Sequence, residues 1–291
     1  MKDPAVIAAH ANHVTSVLFS RDSRILVSAG MDKLIKLWSA SSWKRKTTWR
    51  GHTHSVNSLS LSPDGKLLAT GSTDTTVKIW NFPAGKAIHT LKGHRKSTVA
   101  RFSPGGTYLA SASHDGKILL WSVADGQLVA TIRGHEKNVI ATQFTEDGTV
   151  LASGGLGDDI LLWDIPSGAP AGKLSGHKAT VMSLALSPDG RTLASTGFEG
   201  TLRLWSTNDW KLMRVFSLQG PGAYQIAFSP DGKSIAVGMA FKILLMTLVD
   251  GRLVAELPVP VKGVYGIAYS PNGRWLALAA ADKKVRVWSV A

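Results

Sequence analysis

The sequence predicts an all-β fold, a seven-bladed β-propeller whose blades are four-stranded antiparallel sheets. Three observations predict it: a β-rich segment ending in tryptophan recurs, its spacing is nearly constant, and helical periodicity is absent. The segments are LIKLW ending at Trp38, TVKIW at Trp80, KILLW at Trp121, DILLW at Trp163, TLRLW at Trp205, KILLM at Met246 and KVRVW at Trp288. Neighbouring ends lie 41 or 42 residues apart, so seven such units use up the 291 residues. The reading is therefore one domain, residues 1–291, with no second domain and no long linker.

Each unit resolves into four strands. In the second, SVNSLSLS (55–62) alternates small or polar with apolar residues, as a half-buried strand does. SPDG (62–65) turns the chain, with Pro63 fixing φ and Gly65 free to take a positive one. KLLATGS (66–72), VKIW (77–80) and KAIHTLK (86–92) follow as strands, separated by polar turns. One such sheet cannot bury both faces alone, so successive sheets must stack around an axis. The last unit stops just after its third strand. The segment Pro4–Ala9 precedes the first histidine with no third strand ahead of it, so it is expected to complete blade seven and close the ring.

Composition sets the outer limits. An apolar fraction of 44% and a charged fraction of 18% fit an ordinary globular protein. The most hydrophobic stretch, residues 234–249, is interrupted by Lys242, so no membrane span is expected. The first residues, MKDPAVIAAHANH, hold no long apolar core or cleavage site, which argues against a signal peptide. There is no cysteine, hence no disulfide and no thiolate. Together these give a cytoplasmic protein as the expectation. The net charge of +13 is uneven: residues 1–146 hold 19 Lys and Arg against 9 Asp and Glu, and the remainder 14 against 11. A basic half attracts polyanions such as nucleic acid or acidic lipid, and basic outer strands also keep edges from pairing.

The repeats resemble the WD-repeat family along the whole chain. Gly-His pairs stand at Gly51-His52, Gly93-His94, Gly134-His135 and Gly176-His177, with Ala9-His10 in register, and the literal Trp-Asp pair occurs at Trp163-Asp164. The resemblance implies a hydrogen-bonded chain of His, Ser or Thr, Asp and Trp that rigidifies each blade. By register these are His10, Ser28, Asp32 and Trp38 in blade one, and His52, Thr70, Asp74 and Trp80 in blade two. Blade three has His94, Ser111, Asp115 and Trp121. Blade four keeps His135, Ser153 and Trp163 but has Gly157 at the Asp place, with Asp158 one residue later. Blade five has His177, Ser195 and Trp205, with Glu199 for Asp. In blades six and seven Gln219 and Pro260 take the His places, Val237 and Leu278 the Ser places, and apolar packing is expected to hold both.

Ser, His and Asp recurring together could suggest a hydrolase triad, but an enzyme needs one such constellation, not several ending in buried tryptophans. The serines also lack the G-x-S-x-G elbow that exposes a nucleophile. The pairs His10/His13 and His52/His54 leave too few ligands for zinc once one histidine joins a blade network. No phosphate-binding strand–loop–helix occurs. No catalytic residue, metal or cofactor is therefore assigned. Trp43, Trp49, Trp210 and Trp275 read as packing residues.

The family resemblance also implies a docking face, formed by the loops before each innermost strand and between second and third strands. Blades one to three place small polar or basic residues there, including Thr15, Asn57, Thr73 and Thr98. Blades four to seven place Ile140, Leu156, Met182, Phe198, Tyr224, Met239 and Tyr265. Such side chains gain nothing from a loop and belong to types enriched at interface cores, so they are the candidate partner-binding residues, or else they plug the channel. The functional expectation is a non-catalytic scaffold, a monomer by itself, that binds a protein or peptide on this face. The alternatives are a polyanion-binding module using the basic half and a propeller hydrolase or lactonase. The last needs acids or histidines clustered at the channel mouth, and the mapped positions show no such cluster.

Overall fold

The structure, a computed structural model, describes residues 3–218, 220, 222–261 and 263–290. It contains seven four-stranded antiparallel sheets and, among the described residues, no helix. In six of them the strands follow chain order from the axis outward. Blade two, for example, runs Val56–Leu61, Leu67–Ser72, Thr76–Asn81 and Ala87–Lys92.

Burial explains why the strands take these places. The second and third strands are sealed on both faces by neighbouring blades and are built mostly of apolar and small residues, as in Leu67–Ser72 and Lys117–Ser122. Outer strands are mostly exposed and carry charge or small residues, as in Arg45–Trp49 and Pro170–Ser175. Seven apolar clusters form, one between each pair of adjacent blades. The cluster that joins Val285 and Val287 of blade seven to Val14 and Val17 of blade one shows that the ring is closed.

Closure uses the N-terminal strand Ala5–Ala8, which pairs antiparallel with Lys284–Ser289, Ala5 opposite Val287 and Ala8 opposite Lys284. Ile7 points into the blade-seven/blade-one core. The first strand of the chain is thus the outer strand of the last blade.

The turns between first and second strands carry their own cap. In blade two the Ser62 hydroxyl donates to Asp64 Oδ1 at 2.6 Å, and the same oxygen accepts the Lys66 N–H at 3.0 Å. Gly65 sits at φ +71°, the left-handed conformation that the turn requires. Ser20/Asp22, Ser187/Asp189, Ser229/Asp231 and Ser270/Asn272 repeat the arrangement. The unpaired edges of the innermost strands are tied to the preceding blade by side chains. Ser58 Oγ accepts the Ala100 N–H at 2.9 Å, and Ser60 Oγ the Phe102 N–H at 3.1 Å.

Candidate functional site

The polar residues that recur by register meet inside their blades. In blade one the Trp38 indole N–H donates to Ser28 Oγ at 2.9 Å, and Ser28 lies 2.8 Å from His10 Nε2. His10 Nδ1 is 2.8 Å from Asp32 Oδ1. The Asp32 carboxylate only accepts, so His10 Nδ1 carries the hydrogen; in the neutral ring Nε2 is then the acceptor, and the Ser28 hydroxyl donates to it while accepting the Trp38 N–H. Blade two repeats the chain through Trp80, Thr70, His52 and Asp74 at 2.9, 2.7 and 2.8 Å. Blade three does so through Trp121, Ser111, His94 and Asp115 at 2.8, 2.8 and 3.3 Å.

Blade five substitutes Glu199, whose Oε1 lies 2.6 Å from His177 Nδ1, with Ser195 2.7 Å from Nε2 and 2.8 Å from the Trp205 nitrogen. The extra methylene leaves Glu199 Oε2 buried without a partner. Blade four keeps the inner part alone: Trp163 and His135 each lie 2.7 Å from Ser153 Oγ. Asp158 is exposed and takes no part.

Blades six and seven differ from each other. Val237 and Leu278 are fully buried at the Ser places, as apolar packing requires. Blade seven is not held by apolar contact alone, however. Asp282 stands at the network Asp place and makes a two-pronged ion pair with Arg286, at 3.1 and 2.5 Å. A guanidinium on the third strand thus takes over from the missing histidine. Pro260 makes no such contact, and Gln219 lies outside the described residues.

The electrostatics follow from burial and donors. Burial pulls His52, His94 and His177 below the usual imidazole value, and His135, with no carboxylate beside it, falls to about 4. Burial works to raise the Asp74 carboxyl, but the Thr76 hydroxyl, the Thr53 N–H and His52 outweigh it and hold it at about 2. Asp74→Ala leaves the His52 and Thr53 donors without their acceptor, and is expected to cost roughly 1–3 kcal/mol of folding stability. Because the folded pKa lies below the unfolded one, the contribution of Asp74 is complete above the ordinary aspartate value of 3.8 and is lost as pH falls toward 2. Chemical denaturation of the two proteins at neutral and acid pH checks both the size and the sign.

The network hydroxyls of Ser28, Thr70, Ser111, Ser153 and Ser195 are 0% exposed, so no substrate in solvent meets them. Among the described residues no three His, Asp or Glu side chains converge in a way that holds a metal.

The loop face carries the other candidates. Phe198 and Leu156 are about half exposed, at 48% and 49%, and Tyr265 is 38% exposed. Phe198 meets Tyr224 edge-on with ring centroids 6.0 Å apart, and Tyr265 stacks on His13 at 5.9 Å. Ile140, Met182 and Tyr265 line the mouth of a central channel of about 460 Å³, together with Asn57.

Met239 is a correction: it is 3% exposed and packs in the core between blades five and six. The turn in blade six is one residue shorter than in blade one, and the Met239 N–H bonds to the Lys242 carbonyl at 2.8 Å. Met239 thus follows directly on the strand Ser234–Gly238 and closes the hairpin, and the exposed residue of that turn is Phe241, at 56%. The 41-residue spacing of this unit was the signal for Phe241. Thr15 and Thr98 are also corrected. Both are buried, Thr15 Oγ1 bonding across to the Val56 carbonyl of blade two and Thr98 Oγ1 accepting the Ser72 N–H at 3.0 Å.

The family model described as WD domain, G-beta repeat matches residues 2–39, 43–81, 85–122, 126–164, 168–206 and 251–289. The chain belongs to this family. Each matched WD repeat runs from the outer strand of one blade through the third strand of the next, an offset that puts Ala5–Ala8 in blade seven. The unmatched stretch, 207–250, holds Val237 and Met246 at the Ser and Trp places. No curated protein matches the chain.

Proposed function

We propose that this WD-repeat propeller is a non-catalytic scaffold that holds a protein or peptide on the loop face of blades four to seven. The observation that carries the reading is the set of large apolar side chains kept in contact with water on that face: Leu156, Phe198, Phe241 and Tyr265, with Tyr224 against Phe198. A fold with seven buried cores has no need of them there, and exposed aromatic clusters are what interfaces use as anchors. The structural role of the His–Ser–Trp chains supports the absence of catalysis. Each hydroxyl is consumed by two hydrogen bonds, as expected of a device that fixes a blade. The test is an affinity pull-down with the intact protein and a Phe198→Ala/Tyr224→Ala control. A set of captured proteins lost with the control supports the reading, and an unchanged set overturns it.

A specific observation also favours polyanion contact: Arg95, Lys96, Lys137 and Lys178 are exposed on the loops of blades three to five. Exposed cations in water give salt-sensitive attraction without selectivity. Binding to DNA, RNA or anionic vesicles is therefore expected to be weak and to vanish by about 0.5 M salt, beyond the Debye screening range. Tight binding that survives such salt makes a polyanion the partner instead.

A further inference from the structure

The blades that carry a network histidine differ at one place. In blade two the Asp74 carboxylate accepts from His52 Nδ1–H at 2.8 Å, the Thr53 N–H at 2.9 Å and the Thr76 N–H at 3.0 Å, with the Thr76 hydroxyl at 2.6 Å besides. Asp32 and Asp115 gather the histidine and the two backbone N–H donors in blades one and three. Blade five sets Glu199 against His177. Blade four has Gly157.

The rest of blade four is built as if the carboxylate were expected. The Trp163 N–H and the Ser153 hydroxyl still fix the His135 ring by its Nε2. Among the described residues, neither His135 Nδ1 nor the Glu136 N–H has an acceptor, although the equivalent groups in blades one to three both do. A Cβ added at Gly157 would meet nothing within 4 Å, so there is open space where the acid would stand. His135 is half-buried, whereas His10, His52, His94 and His177 are buried, so this space reaches solvent. The turn is also looser. Thr75, Gly116 and Gly200 each bond back to the residue three before, and Asp158, at the equivalent position, makes no such bond.

The surroundings favour a negative charge. Arg95, Lys96, Lys137 and Lys178 are exposed on the flanking loops and none is in an ion pair among the described residues, against two exposed acids, Glu136 and Asp158. Leu156, two residues before Asp158, is part of the apolar half of the face.

We propose that an acidic side chain of a bound peptide, Asp or Glu, completes blade four in trans, its carboxylate accepting from His135 Nδ1–H and the Glu136 N–H. This rests on the docking reading above and adds to it the chemistry of the partner: an acidic residue beside an apolar anchor that covers Leu156. The apolar half supplies affinity, and the carboxylate sets register, because a peptide lacking it covers two donors and leaves them unpaired.

The test uses sodium acetate as the probe, titrated into the folded protein against sodium chloride at equal ionic strength, with the His135 ring followed by NMR. Acetate is expected to move the His135 signals saturably and chloride to leave them in place. Gly157→Ala keeps this response, because it leaves the space open. Gly157→Asp abolishes it, since the new carboxylate fills the place from within. Gly157 does not hold a left-handed φ, so the backbone accepts either residue. Gly157→Asp is also expected to raise the His135 pKa from about 4 and to melt higher than Gly157→Ala. Acetate that perturbs His135 no more than chloride overturns the proposal. So does an Asp158→Asn variant whose His135 titrates lower than in the parent, which would show that Asp158 already fills the place. Phe198→Ala leaves the acetate response untouched, so failure of this site and failure of the apolar docking reading are told apart.

Discussion

A chain lacking residues 1–9 is expected to aggregate or to lose roughly 10 °C or more of melting temperature. The deletion removes the strand Ala5–Ala8 from blade seven and with it the pairing of Ala5 to Val287 and Ala8 to Lys284. It also takes Ile7 and Ala9 out of the core that joins blade seven to blade one. Burying an isoleucine is worth about 1.5–3 kcal/mol, and each ladder hydrogen bond adds about 0.5–1.5. The sum is several kcal/mol, a large part of the roughly 5–15 that a domain has in total. The loss falls on the closing contact of a ring, where the two ends of the chain meet. It exposes Lys284–Ser289 as an unpaired strand, and such an edge pairs with other copies. Size-exclusion chromatography and thermal unfolding decide the matter. A soluble monomer with the parent melting temperature would falsify the view that this strand locks the ring.

The fold was legible because a propeller writes itself into sequence as a period. Trp38, Trp80 and Trp121 mark third strands, and the turn residues between them, such as Pro63 and Gly65, mark the returns. Even the closure was readable, since a chain that starts with an outer strand and ends on a third strand has one consistent pairing. Sequence reasoning failed where one residue more or less changes which way a side chain points. Register puts Met239 in a loop, but the shortened turn holds it tight against the end of the strand Ser234–Gly238 with its side chain in the core, and pleating alternates faces from one residue to the next. Thr15 and Thr98 were placed at the start of a loop-facing strand, yet a hydroxyl there is drawn into bonds with the next blade's backbone or the preceding blade's strand. The Arg286–Asp282 pair was missed because only Asp282, in the turn before the third strand, occupies a motif position, while Arg286 stands four residues on within that strand.

Phe198→Ala and Tyr224→Ala are each expected to cost the partner about 2 kcal/mol or more of affinity, roughly a thirtyfold loss. The two rings meet edge to face with centroids 6.0 Å apart, so each holds the other in the orientation that a partner finds. Truncating either one removes an anchor and also frees its neighbour. A partner then loses buried area and must order the remaining ring as it binds. Thr73→Ala on the opposite side should cost less than about 1 kcal/mol, because its hydroxyl bonds only weakly to Asn57 and Ser97 at 3.2 to 3.5 Å on the rim. The melting temperature separates a docking role from a structural one. Phe198 is 48% exposed and is not part of an inter-blade core, so its loss should leave thermal unfolding nearly unchanged. Met239→Ala serves as the opposite case: it hollows the core between blades five and six and should lower stability by about 2–5 kcal/mol. Calorimetric binding to a captured partner, paired with melting curves of the same variants, reads both quantities. Affinity that survives Phe198→Ala and Tyr224→Ala removes the anchors from the apolar half of the face. A large fall in melting temperature at Phe198 would instead make that ring a plug of the fold.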